Sequence, residues 1–167
     1  EKKPLINYFK ELIKWRDRQR AEMAASPKVI KGKDLPLEVN AMGLYRWYLH
    51  PAMPDLACRS LLFWIHEIPA GSHSGKQKCQ GGRIHYVHEG SGYTILDGEK
   101  YEWEQGDLIL IPIKENGSVH QHFNPDAKRQ ARLVVAEPNW CDSVGVDKGS
   151  GFEMLENCPE YEGEQAA

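Results

Sequence analysis

Hydrophobic and polar positions follow two different periods along the chain. Near the start, Leu5, Ile6, Phe9, Leu12 and Ile13 recur at steps of three and four with charged residues between them, which predicts a helix over residues 5–25. From Trp15 to Glu22 the apolar stripe gives way to charge, and Pro27 stops any helical continuation. A helix that is apolar along half its length needs a surface to bury that half. It is therefore expected to cover one end of the main domain or to join two copies as a homodimer.

Beyond Pro27 the pattern turns to short runs rich in aromatic and branched residues. Gly43–Leu49 and Ser60–Ile68 are the first two, and Pro-Ala-Gly at 69–71 ends the second. Further strand-like runs follow at close spacing: Arg83–His88, Gly92–Asp97, Glu99–Trp103, Asp107–Ile111, Ser118–Phe123 and Ala131–Glu137. Turn residues separate them, namely Glu-Gly-Ser-Gly at 89–92, Asp97-Gly98 and Gln105-Gly106. Asp-Gly between two strands is a strong signal for a two-residue hairpin, because both residues tolerate positive φ. Many short strands without interleaved helices predict an all-β sandwich or closed barrel. The chain thus reads as an N-terminal helical arm (1–27), a barrel (28–137) and an irregular extension packing over it (138–167).

A length of 167 residues suits one domain with extensions, and 41% hydrophobic with 27% charged residues is ordinary for a globular protein. The net charge of -3 argues against a nucleic-acid partner or an anionic membrane surface, since both need clustered Lys and Arg. No apolar run approaches the ~20 residues of a membrane span, and no secretory leader pattern opens the sequence, so a cytoplasmic location is expected. Cys58, Cys79, Cys141 and Cys158 are widely spaced and form no CxxC pair, so they are expected to be thiols. Seven His and five Trp are generous for this length. His supplies ligands and bases and Trp supplies flat apolar walls, a combination suited to a small-molecule pocket.

Two stretches carry a family resemblance. Gly106-Asp107-Leu108-Ile109-Leu110-Ile111-Pro112 followed by His120-Gln121-His122-Phe123-Asn124, together with the earlier Tyr86-Val87-His88-Glu89-Gly90-Ser91-Gly92, resembles the two sequence blocks of cupins. More narrowly, the chain is similar to single-domain relatives of gentisate 1,2-dioxygenase, proteins of aromatic catabolism. The resemblance implies a cupin double-stranded β-helix, a jelly-roll barrel with a central pocket. In metal-binding cupins the first block supplies His-x-His and then a Glu, and the second block a further His. Counted back from Glu89-Gly90, those positions fall here on Gln77, Cys79 and Arg83, with the last His at His120. Three of the four positions therefore depart from the pattern.

Strand alternation then selects which side chains share the interior. His120 and His122 face the same way, as do Arg83 and His85, and so do Gln77 and Cys79 if that segment is extended. With His120 inward as the resemblance implies, the expected metal set is His120, His122, Cys79, His85 and Gln77. Such donors suit one divalent iron, copper or zinc ion. Cys79 is alternatively a small packing residue, and His85 and His122 are alternatively hydrogen-bonded core residues. An inward Arg83 needs a partner. A substrate carboxylate would serve, and so would Glu89 or Glu104 within the chain. Tyr86 and Trp64 are candidate walls for an aromatic substrate. His50 and His73 are expected at the surface, and the facing of His66 is open. Two functions compete: a metal-dependent enzyme acting on a small aromatic or carboxylated substrate, of the oxygenase type, or a non-catalytic cupin that binds or senses a small molecule.

Overall fold

A computed structural model of the chain describes residue 6, residues 8–139 and residues 153–162. The first element is helix α1, Tyr8–Ala25. Its C-terminal carbonyls are satisfied locally. The Ser26 N–H and hydroxyl both donate to the Glu22 carbonyl, and the Lys28 ammonium donates to the carbonyls of Met23, Ala24 and Ser26. A cation at this end also complements the helix dipole. Among the described side chains of α1, Tyr8, Trp15 and Met23 are exposed.

Among the described residues, a single 3-10 turn at Gly32–Asp34 precedes eleven strands. These are β1 (Glu38–Asn40), β2 (Gly43–Leu49), β3 (Leu61–Ile68), β4 (Lys76–Cys79), β5 (Arg83–Glu89) and β6 (Ser91–Leu96), then β7 (Glu99–Glu104), β8 (Leu108–Ile111), β9 (Ser118–Phe123), β10 (Ala131–Pro138) and β11 (Glu153–Glu156). They form two antiparallel sheets, one in the order β1-β2-β3-β10-β5-β8 and the other β11-β4-β9-β6-β7. Within the extension expected to wrap over the barrel, β11 adds an edge strand to β4, and Cys158 is buried with its N–H on the Ala41 carbonyl.

The predicted hairpin is present. Asp97 and Gly98 both have positive φ, 51° and 92°, between β6 and β7, as a two-residue turn of the right hand for twisted strands requires. After β9, the buried Asn124 amide donates to the carbonyls of Ile68, Pro69 and Arg129 and so ties three chain segments together.

Every second residue of the central strands points inward, and the interior has two parts. One is apolar: Tyr45, Leu62, Trp64, Ile68, Val87, Trp103, Ala131, Leu133 and Val135 pack together. Burying each large side chain among them contributes about 1.5–3 kcal/mol. The other part is polar, with His66, Gln77, Arg83, His85, His120 and His122 all nearly closed to solvent. Polar groups in that number inside a barrel need a reason, because each one buried without a partner is destabilising. Cys58, Cys79 and Cys158 are free thiols, and Cys141 lies outside the described residues. Among the described residues no helix is long and apolar enough to cross a membrane.

Candidate metal centre

Strand β9 supplies two imidazoles and β5 a third. His120 and His122 alternate with Gln121 along β9, which lies between β4 and β6, with Gln77 opposite His120 and Thr94 opposite His122. On β5, Arg83, His85 and Val87 point inward while Ile84 and Tyr86 point outward. One ring nitrogen from each of His85, His120 and His122 lies within 4.8 Å of the others, and all three residues are buried. Their ring centroids are separated by 4.5 Å (His85–His122), 5.4 Å (His120–His122) and 5.8 Å (His85–His120).

The electrostatics of this cluster favour neutral rings. Burial holds all three imidazoles well below the usual histidine range, and His122 is brought down to about 3, with the nearby Arg83 charge adding to the effect. A neutral imidazole keeps one lone pair, the form in which it ligates. Both ring nitrogens of His85, and Nε2 of His120 and of His122, have no hydrogen-bond partner among the described residues. Each unmet buried polar atom costs about 1–3 kcal/mol. The remaining nitrogens are occupied from behind. Nδ1 of His122 is 2.7 Å from the Thr94 hydroxyl, which in turn accepts the Trp103 indole N–H at 2.9 Å. Nδ1 of His120 is 4.0 Å from the Cys79 sulfur. The Nε2 atoms are thereby left toward the shared space.

This arrangement fits a transition-metal ion. Three converging nitrogen donors with other positions open is the pattern of catalytic zinc and of non-heme iron and copper sites rather than of magnesium or calcium. The orphaned nitrogens supply the fit, since one bound cation would satisfy a nitrogen of each of the three rings at once.

The other expected ligands lie elsewhere. Gln77 is buried, but its amide oxygen accepts from Arg83 at 3.0 Å and its amide nitrogen is 3.3 Å from the Tyr45 hydroxyl, so its polar atoms are already engaged. Cys79 is buried beside His120 but outside the three-histidine group, and burial raises its thiol pKa, which disfavours the thiolate that ligates. Arg83 finds its partner in neither Glu89 nor Glu104. Its Nε donates to the Glu137 carboxylate at 2.6 Å, with both side chains almost completely buried. Tyr86 is 43% exposed on the outer face of the sheet, so it is not a wall of an interior pocket. The two-residue period that turns His85 inward turns Tyr86 outward.

Trp64 is placed inside. Its ring lies 5.2 Å from the Arg83 guanidinium and stacks on Tyr45. Together with Trp47, Leu62, Met42, Arg83 and Glu137 it lines a cavity of about 600 Å³, a size suited to a small organic molecule. His50, expected at the surface, is half-buried against Trp47 on this cavity, and His73 is half-buried beside Gln121. His66, whose facing the sequence left open, points inward and meets Tyr45 at 4.7 Å and His122 at 5.9 Å.

Comparison with known proteins supports the fold. The chain is 27% identical over 88 residues to 5-aminosalicylate 1,2-dioxygenase of a Comamonas species, a match covering 53% of this chain but only 21% of that protein. The fold resembles the polyketide cyclase RemF from Streptomyces resistomycificus, with a TM-score of 0.56 and 20% identity over 67% of this chain and 79% of that one. It also resembles salicylate 1,2-dioxygenase from Pseudoaminobacter salicylatoxidans, with a TM-score of 0.55 and 17% identity over 85% of this chain and 36% of that one. Residues 64–137, which hold His66, His85, His120 and His122, match the family profile described as the cupin domain. That segment accordingly matches a cupin domain, and the histidine cluster lies inside it.

Proposed function

We propose that this protein is a metal-dependent cupin enzyme acting on a small aromatic or carboxylated molecule in an oxygenase-type reaction. The observation that carries the proposal is the convergence of His85, His120 and His122, three buried neutral imidazoles whose inward nitrogens have no other partner. These residues would hold one divalent iron, copper or zinc ion. Such an ion supplies Lewis acidity and, for iron or copper, one-electron redox chemistry. The barrel contributes the rest. Its closed wall keeps water from the reacting atoms, Trp64 offers a flat face to an aromatic ring, and the Arg83 guanidinium is a donor for a carboxylate. The partial match to an aminosalicylate dioxygenase supports an aromatic acid as substrate. The exposed apolar side chains of α1 support a homodimer.

A second reading is a non-catalytic cupin that binds or senses a small molecule. The Arg83–Glu137 pair favours it, because the guanidinium that would hold a substrate carboxylate already has one. One experiment separates the two readings. Protein loaded in turn with ferrous iron, copper and zinc is supplied with salicylate, gentisate and 5-aminosalicylate while oxygen uptake and ring absorbance are followed. Turnover with any metal supports the enzyme. Tight binding without turnover of any of them supports the sensor.

A further inference from the structure

We infer that His66 is a fourth histidine ligand of the metal centre, an inference that rests on the reading of His85, His120 and His122 as metal ligands. His66 lies on β3, a different strand from the other three. In the large sheet β10 runs between β3 and β5, with Leu133 opposite His66 and Val135 opposite His85. The two histidines thus flank one strand, two residues apart in register, and both point into the barrel. The His66 ring is 5.9 Å from that of His122, but its nitrogens lie outside the 4.8 Å group of the other three, so a turn of the ring is needed to bring one onto a shared ion.

What distinguishes His66 from a packing residue is its lack of partners. It is 1% exposed, and among the described residues neither ring nitrogen has a hydrogen bond. A buried histidine retained for packing alone ordinarily bonds through at least one nitrogen. Tyr45 contacts the ring face, but its hydroxyl is turned to Gln77. The backbone has made room as well. Gly43 on β2 has φ 148°, and a Cβ at that position would stand 2.5 Å from Nε2 of His66. The absent side chain makes room for the ring, whose Nε2 lies against Gly43. A fourth imidazole would fill one of the coordination positions that the three-histidine set leaves open, and would bias the site toward zinc, copper or iron.

Cobalt(II) tests the assignment on the full chain. Paramagnetic proton spectra of the cobalt-loaded wild-type protein should show four strongly shifted, exchangeable ring N–H signals, one from each bound imidazole. His66→Phe, which keeps a ring against Tyr45, should show three, should change the visible cobalt absorption, and should bind cobalt at least about 100-fold more weakly. The wild-type signal count does not depend on how well the variant folds. Three shifted signals in wild-type protein, or unchanged cobalt affinity and absorption in a folded His66→Phe, would overturn the role of His66 and leave the three-histidine centre standing. Wild-type protein that takes up no cobalt would overturn both.

Discussion

Arg83 and Glu137 form an ion pair at 2.6 Å in the barrel interior, with 3% and 4% of their side chains exposed. Arg83 stands where the resemblance to metal-binding cupins expects a carboxylate ligand, so a guanidinium occupies one corner of the usual site and a carboxylate from β10 neutralises it. Removing one partner strands the other charge. Arg83→Met is predicted to destabilise the fold by about 3–5 kcal/mol, and adding Glu137→Leu should recover most of that loss. Urea unfolding of the two variants decides the point. A double variant no more stable than the single one would show that the pair does not set the cost.

The chain from Trp103 through Thr94 to His122 should fix the ligating nitrogen. The Thr94 hydroxyl already accepts from the Trp103 indole, and when it also accepts from Nδ1 of His122, Nε2 is left with its lone pair toward the cluster. Thr94→Val is predicted to weaken zinc binding by about 10–100-fold, with Thr94→Ser restoring it. Competitive titration against a chromogenic chelator measures both. Equal affinities in all three proteins would show that Thr94 only packs.

Acid should destabilise the metal-free protein more steeply than its net charge suggests. Burial lowers the folded-state pKa values of His66, His85, His120 and His122, to about 3 for His122. The unfolded chain therefore binds more protons than the folded one at any pH below about 6.5. Stability is full above that value and is lost as the pH falls through the window down to the folded-state values, by roughly 1.4 kcal/mol for each such histidine per pH unit. Thermal melts of chelator-treated protein between pH 8 and pH 5 should show a falling Tm. A flat profile would mean that these rings are hydrated or already paired.

Cys79 is predicted to be a spectator to the metal. Its sulfur lies outside the histidine group and burial keeps it a thiol. Cys79→Ser should leave the cobalt absorption without loss of any sulfur-to-metal charge-transfer band. In wild-type protein iodoacetamide should modify the exposed Cys58 well before Cys79, as peptide mass spectrometry would report. A charge-transfer band that disappears with the substitution would return Cys79 to the ligand set.

Local pattern made much of this architecture readable. β2 and β9 fall on the predicted residues, and the alternation along β5 and β9 already aims His85, His120 and His122 to one side. His66 was harder to orient because Leu61–Ile68 is a nearly continuous apolar run, in which a period of two leaves little trace. Glu137 was unreadable as the partner of Arg83, since 54 residues separate them and only the register of β10 against β5 brings them together. Gln77 and Cys79 were placed correctly inside. What the sequence could not show was that Arg83 and Tyr45 would engage the Gln77 amide, or that Cys79 would sit beyond the far nitrogen of His120.

Metal-dependent chemistry in this barrel requires that the buried imidazoles share one ion. Elemental analysis of protein expressed with iron, copper and zinc all supplied, purified without chelator or affinity metal, tests this most directly. It should find close to one transition-metal ion per chain, lost in His122→Ala while the fold is retained. Wild-type protein that retains none of these metals, or a folded His122→Ala that retains as much as wild type, would contradict it.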